Sequence, residues 1–399
     1  MKKENKIKNK SGQKAYLLIK EMINSLQHDL NAEIILSDKY SIGYPEQEKQ
    51  FKMDFKLSFP NINNETWLLK STNSIRERIY GTEFFAHHIR KIDKNVSKIY
   101  VVVPDSISEK ELRNKDNYSK KITGGKYTSS ITDVITVGEL RKLIVEYCFQ
   151  DLSQGIRSNI LGADAEQEVL RSLNCRDNLE LWNDYETNKH DLKSSNFDIF
   201  KEILTKSNLR MGIDVLDVVR ATDNIPLLVN GGKPKTDVAV MIKSSKFNIQ
   251  RTISIKNTSS KKVTVHEGDV SDLIAALNIS NDSRLAIALS KFQECGSELR
   301  LGELYPDMVE VLHSELKNYN VELTLFFLFG TNSPLVVHPI QVADMILYVD
   351  KLYAENQESY VINYVSMFGD RGQFGTPFSW TYPSKRRGQR IQIKGFTNN

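Results

Sequence analysis

The sequence predicts an α/β (α+β) protein built from two domains. Its 399 residues exceed what one average domain uses. Apolar residues at 40% and aromatic residues at 9% are enough to fill a sizeable core. Segments with helical apolar spacing alternate along the chain with short runs that are β-branched or alternate every second residue.

After a basic tail with Lys2, Lys3, Lys6, Lys8 and Lys10, the stretch Ala15 to Leu30 places Leu17, Leu18, Met22, Ile23 and Leu26 at helical spacing. Phe51 to Phe59 alternates as a strand does, Trp67 to Leu69 is a short apolar run, and Ile99 to Val103 is a β-branched run stopped by Pro104. Ile75 to Ile92 between them reads as a helix. The polar stretch Glu109 to Lys126 interrupts the pattern, and a strand and a helix follow near Gly138 to Tyr147. We draw the domain boundary near residue 150, around Asp151 to Gly155, giving an N-terminal α/β module over 1–150 and a second domain over 151–399. That second part opens with a helix from Gly162 to Leu173 and a loop-rich polar region from Cys175 to Asn196. Asp237 to Ile242 and Ile249 to Ile255 then form a predicted hairpin about the polar tract Lys243 to Asn248. Helices at Asp269 to Leu277 and Leu304 to Asn318, an apolar strand Val321 to Phe329 and a further strand near Leu335 to His338 complete the reading. The chain shows no internal repeat.

Several function classes drop out. No stretch approaches the roughly 18 to 20 apolar residues of a membrane helix. The basic N-terminus has no apolar stretch behind it, unlike a secretory signal, so a cytoplasmic address is expected. Cys148, Cys175 and Cys295 lack the spacing of a zinc site or a disulfide framework and read as reduced core residues. The net charge of +4 carries little by itself.

The chemistry concentrates at the hairpin. Gly231-Gly232-Lys233-Pro234-Lys235-Thr236-Asp237 leads into its first strand, and Ser254-Ile255-Lys256 closes the second. An acid opening one strand and an x-x-Lys closing its neighbour is the layout of a metal-dependent phosphodiesterase. Period-two alternation puts Ser254 and Lys256 on one side, and pairing brings Asp237 beside them. A hard cation such as Mg²⁺ wants oxygen ligands and would polarise the phosphate and acidify a water, while the lysine ammonium steadies developing negative charge. A solvated hairpin with a surface ion pair is the alternative. Ser254 is a weaker ligand than a second carboxylate.

These residues carry a resemblance. The tract Gly231 to Asp237 followed by Ile253 to Asp269 (ISIKNTSSKKVTVHEGD), the dipeptide His338-Pro339, Phe374-Gly375-Thr376, and Ser379 to Gly395 (SWTYPSKRRGQRIQIKG) resemble, in order and spacing, the MspI type II restriction endonucleases, a divergent branch of the PD-(D/E)XK nuclease superfamily. The resemblance covers about 157 to 395. It implies a restriction-endonuclease-like core, a mixed central sheet flanked by helices. It implies Asp237 as metal-binding aspartate, Lys256 as catalytic lysine, and Ser254 where the family has asparagine. Glu166, in the helix after Gly162, aligns with a helical glutamate of the family and would supply the missing carboxylate. Glu168 faces elsewhere on the helix, so one of the two would serve the metal.

Downstream, Thr258 to Glu267 places hydroxyls and two lysines, Lys261 and Lys262, beside the site, suited to phosphate and base-edge contacts. The resemblance puts Lys262 and Thr264 on the DNA side. His266 has no family counterpart and reads as a surface or capping residue. Ser384 to Asn399 carries Lys385, Arg386, Arg387, Arg390 and Lys394 with no acidic residue. Within it Arg390, Gln392 and Lys394 share one strand face and Ile391 and Ile393 the other, so a polar row would read groove edges. The resemblance adds Thr381, Ser384, Gln392 and Lys394 as DNA-contacting positions.

Residues 1 to 150 lie outside the match. Asp54 with Leu68 and Lys70 reads as a degenerate copy of the nuclease layout without its second acid, which favours a DNA-binding or specificity module over a second active site. The resemblance implies Mg²⁺-dependent cleavage of double-stranded DNA at a short GC-containing palindrome, CCGG first, leaving 5′-phosphates. A cognate DNA methyltransferase is the expected genetic partner, and the chain acts as monomer or homodimer. A catalytically inactive DNA-binding protein with the same fold is the second reading.

Overall fold

The structure is a computed structural model describing all residues except 1–14, 28–32, 45, 47–48, 61, 63–64, 106, 126–127, 151, 153, 185–196, 258–260 and 398–399. The chain divides into two compact units. The first takes the described residues of Met1–Glu168, Cys175–Phe200 and Asp350–Leu352; the second takes Val169–Asn174, Lys201–Val349 and Tyr353–Asn399.

The first unit holds a sheet in the order β1-β4-β5-β6-β7, made from β1 Ile35–Asp38, β4 Phe55–Phe59, β5 Glu65–Ser71, β6 Val96–Val103 and β7 Asp133–Thr136. The β1–β4 and β4–β5 pairs are antiparallel, β5–β6 and β6–β7 parallel. Alternation sorts the two faces. Trp67, Leu69, Tyr100 and Val102 pack with Ile19, Ile23 and Leu26 of α1 (15–27) and with Leu140 and Ile144 of α4 (Val137–Cys148). Leu68, Ile99, Val101 and Val103 pack with Ile75, Ile79 and Ile89 of α2, which spans Ile75–Ile92 as its periodicity predicts.

Two expectations fail in this unit. The alternating run Phe51 to Phe59 is two strands, β3 (Lys49–Lys52), which pairs with β2 (Ser41–Tyr44), and β4, with a break at Met53 and Asp54. The polar stretch from Glu109 is a helix, α3 (Glu109–Thr123). Ser108 caps it by accepting from Glu111 N, and Lys115 pairs with Glu139 at 2.6 Å. Its few apolar residues hide the period from sequence, and charge pairs and the cap carry it instead.

The predicted helix from Gly162 is longer than expected, α5 (Gln154–Asn174), and the polar region from Cys175 begins with α6 (Arg176–Asn183); residues 185–196 lie outside the described residues.

In the second unit the hairpin forms where the sequence puts it. β9 (Val238–Lys243) pairs antiparallel with β10 (Asn248–Lys256). β8 (Val218–Thr222) flanks β9, and β12 (Met345–Tyr348) runs parallel to β10, with β13 (Tyr353–Asn356) at the other edge. A second, antiparallel sheet has the order β11-β15-β14, from β11 (Lys262–Gly268), β14 (Phe378–Thr381) and β15 (Ile391–Phe396).

The expected strand Val321 to Phe329 is a correction: it is a helical turn, Asn320–Thr324, followed by a π turn, Leu325–Phe329. A short run this apolar satisfies a buried strand and a buried helix equally. It buries Leu323, Phe326, Phe327 and Phe329 in the same core as Ile346, Tyr348, Phe378, Trp380, Ile391 and Ile393. No strand forms at Leu335 to His338; the parallel neighbour of β10 comes later, at Met345. The helix expected from Leu304 to Asn318 forms as Pro306–Glu315, opened by Pro306 in its first turn, and continues as a 3-10 turn over Leu316–Tyr319; a separate helix, Glu298–Leu304, precedes it across Tyr305.

Candidate active site and nucleic-acid interface

Asp237 stands one residue ahead of β9, yet its backbone N–H donates to Ile253 O at 2.9 Å, so the ladder extends to it. Its carboxylate turns onto the neighbouring strand, where Oδ2 accepts from Ile255 N at 2.6 Å. Oδ1 carries no protein hydrogen bond among the described residues. Ser254 is completely buried, and its Oγ accepts from Lys256 Nζ at 2.8 Å; the same ammonium reaches Ile255 O at 3.2 Å. The expected convergence of Asp237, Ser254 and Lys256 is therefore present. The partners that hold Lys256 are neutral oxygens, so its positive charge is left for a substrate.

A third group belongs here that sequence reasoning passed over. Lys235 donates from Nζ to Val265 O. Burial pulls its pKa down to about 7, the Lys256 ammonium adds to the shift, and Asp237 opposes it. A signal was present: a lysine two residues before the acid falls on the same side of an extended chain.

Among the described residues, no three His, Cys, Asp or Glu side chains gather as a metal cluster. Asp237 with a hydroxyl is a sparse donor set, and it suits Mg²⁺, which keeps several waters and binds through one or two carboxylates plus substrate phosphate. Glu166 lies half-buried on α5, in the first unit. Its helix neighbours are committed elsewhere: Asp164 Oδ2 lies 2.9 Å from Arg141 Nε, and Glu168 accepts from Arg141 Nη1. The Glu168 carboxylate is thus held in an ion pair with Arg141.

The three-stranded sheet collects most of the other candidates. Its register aligns Thr264 and Ser379 with Lys394, and Glu267 and Thr381 with Gln392. Ile391 and Ile393 are fully buried, while Arg390, Gln392 and Lys394 are half-exposed, so the polar row forms as alternation predicts. Lys261, Lys262, Thr264 and Ser384 are exposed. Lys262 Nζ donates to Ser379 Oγ at 2.6 Å and sits 4.7 Å from the Phe396 ring centre. Thr381 Oγ1 donates to Gln392 O at 3.0 Å, which leaves its lone pairs to accept. Thr258, Ser259 and Ser260 lie outside the described residues. Two members of this face were missed, Ser379 and Glu267; only strand pairing brings them beside Lys394 and Gln392.

His266 is not the surface residue expected. Its ring is half-buried, 5.0 Å from Phe326 and 5.2 Å from Phe327, and its Nε2 is buried without a hydrogen-bond partner among the described residues. Burial, with Lys235 and Arg390 nearby, holds its pKa well below the ordinary value.

The family described as restriction endonuclease MspI matches residues 140–395 of this chain. The type II restriction enzyme BsuFI of Bacillus subtilis is 52% identical over 399 residues, covering 100% of both chains. The chain belongs to the MspI restriction endonuclease family. The type II restriction enzyme MspI of Moraxella sp is 25% identical over 253 residues, covering 60% of this chain and 91% of that one. A crystal structure of MspI with its cognate DNA aligns at 24% identity and a TM-score of 0.49, covering 64% of this chain and 98% of that chain. The family match spans Asp237, Ser254, Lys256 and the three-stranded sheet up to Gly395. It leaves residues 1–139 outside, whereas the likeness to BsuFI runs through them. No helix among the described residues is long and apolar enough to cross a membrane.

Proposed function

We propose that this type II restriction endonuclease cleaves both strands of duplex DNA at a short GC-containing palindrome, with CCGG the first site to test, in a Mg²⁺-dependent hydrolysis that leaves 5′-phosphates. The observation that carries the reading is the meeting of Asp237, Ser254 and Lys256 at the ends of two paired strands.

Asp237 Oδ1 would hold the cation, with Ser254 Oγ as a weak or water-mediated donor. When bound, the ion would polarise the scissile phosphate and lower the pKa of a water. Ile255 N fixes the rotamer of Asp237 by binding its other oxygen. Lys256 Nζ, held by neutral oxygens, turns to the phosphate and stabilises the charge that develops there. Arg390, Gln392 and Lys394 on β15, with Lys261, Lys262, Thr264, Thr381 and Ser384 around them, supply the phosphate and base-edge contacts. Arg or Lys donors suit guanine N7 and O6, in keeping with a GC-containing site. A cognate methyltransferase protects the same site in the host, and the endonuclease works as a monomer or homodimer.

Incubating the purified protein with unmethylated phage DNA and Mg²⁺ tests the reading. Discrete fragments whose sequenced ends share one short palindrome support it. Absence of fragments in Mg²⁺ and Mn²⁺ at low salt, with DNA binding intact, would establish the inactive DNA-binding reading instead.

A further inference from the structure

The first unit repeats the strand plan of the second. In each, a first strand pairs antiparallel with a second, the second antiparallel with a third, and the third parallel with a fourth: β1, β4, β5 and β6 in one, β8, β9, β10 and β12 in the other. Only the fifth strands differ, β7 joining parallel and β13 antiparallel. Each second strand is entered through an aspartate, Asp54 before β4 and Asp237 before β9.

The hydrogen bonds set the equivalence residue by residue. Asp54 N donates to Leu69 O at 3.0 Å as Asp237 N donates to Ile253 O at 2.9 Å. Phe55 lies opposite Leu69 as Val238 lies opposite Ile253. Asp54 Oδ2 accepts from Ser71 N at 2.8 Å as Asp237 Oδ2 accepts from Ile255 N at 2.6 Å. Leu69 therefore corresponds to Ile253, Lys70 to Ser254, Ser71 to Ile255 and Thr72 to Lys256. The lysine of the first unit is not the counterpart of Lys256. It is two residues early and occupies the ligand position.

The consequence is visible at the carboxylate. Lys70 Nζ sits 2.8 Å from Asp54 Oδ1, while Ser71 N and Oγ occupy Oδ2 at 2.8 and 2.7 Å. Both oxygens of Asp54 are taken by protein donors, whereas Asp237 keeps Oδ1 open. At the catalytic-lysine position Thr72 is buried and spends its hydroxyl on Ser74, donating to Ser74 O at 3.0 Å and accepting from Ser74 N at 3.1 Å. We infer that the first unit is a second, silenced copy of the nuclease core, in which the Lys70 ammonium takes the place of a divalent cation against Asp54. The inference rests on reading Asp237 as the cation-holding carboxylate. Each chain then has one cleavage centre, so the two strands of a site are cut by two chains or by one centre in two encounters.

Titration of the full chain with MnCl₂, without DNA, tests this by calorimetry. Asp54→Asn should leave the Mn²⁺ stoichiometry and the cleavage rate at native values, while Asp237→Asn loses the native site. In the Asp237→Asn background, Lys70→Glu places two carboxylates together and should gain one Mn²⁺ per chain, lost again on adding Asp54→Asn; Lys70→Met gains none. A fall in native stoichiometry on Asp54→Asn overturns the inference, because the first unit then holds a cation with Lys70 in place. So does a folded Lys70→Glu protein that gains no ion. If Lys70→Glu fails to fold, the Asp54→Asn arm decides. Survival of Mn²⁺ binding and cleavage in Asp237→Asn would instead refute the proposed active site, a result the Asp54 arm does not produce.

Discussion

Lys235 donates to the carbonyl of Val265, the residue left over by the bulge in β11. The register of β11 against β15 skips between Thr264 and His266, so Val265 has no ladder partner there and its carbonyl is free for a side chain. One hydrogen bond thereby ties the approach to Asp237 to the three-stranded sheet. Lys235→Met should lower the urea midpoint by an amount worth roughly 1 to 3 kcal/mol, the usual cost of leaving a buried acceptor unpaired. An unchanged midpoint would show that the bond contributes nothing.

The catalytic arrangement predicts a separation of binding from cutting. Asp237→Ala and Lys256→Ala should each slow cleavage by at least about 10²-fold, the range for removing one group that meets developing charge. Gel-shift affinity for the same duplex, measured without divalent metal, should stay near native. A Lys256→Ala protein that cuts at the native rate would refute the site.

On β15 the prediction is positional. Gln392→Ala, if Gln392 touches a base edge, costs about 1 to 3 kcal/mol and relaxes preference at one base pair. Lys262→Ala, as a phosphate contact, weakens all sequences alike and reduces the slope of log affinity against log salt by about 1. Competition binding across a salt series separates the two behaviours.

His266 predicts acid sensitivity. Its native pKa lies well below the unfolded one, so below about pH 6.5 the unfolded chain binds a proton that the native imidazole refuses. The contribution is whole above that value and is lost as pH falls, by at most about 1.4 kcal/mol per pH unit for one proton. Unfolding midpoints from pH 7 to 5 should fall less steeply in His266→Gln. Identical slopes would exclude His266 as the cause.

The hairpin that gathers Asp237, Ser254 and Lys256 was legible in the sequence because its logic is local. Alternation puts Ser254 and Lys256 on one side, and a hairpin with a short polar turn returns the chain to Asp237 without help from elsewhere. The helix Ile75–Ile92 and the two faces of β15 were legible for the same reason: the period of apolar residues reports the buried side directly. Where period and composition carried no decision, the reading failed. Val321 to Phe329 is apolar on nearly every side, and Glu109 to Thr123 has too few apolar residues to show a stripe.

By itself, then, the sequence determined which side chains share a strand face, the identity of the acid, hydroxyl and lysine at the hairpin, and the basic character of the C-terminal segment. Strand order and register came only with the tertiary structure: β15 between β11 and β14, Ser379 and Glu267 on the polar face, the Lys235–Val265 bond, and Lys70 standing where Ser254 stands. The physical reason is that a one-residue shift in pairing moves every side chain to the opposite face, and a two-residue shift keeps the face but changes the partner. Nothing in the local spacing of Asp54, Leu68 and Lys70 distinguishes those cases. The ladder hydrogen bonds from Asp54 to Leu69 and Ser71 do.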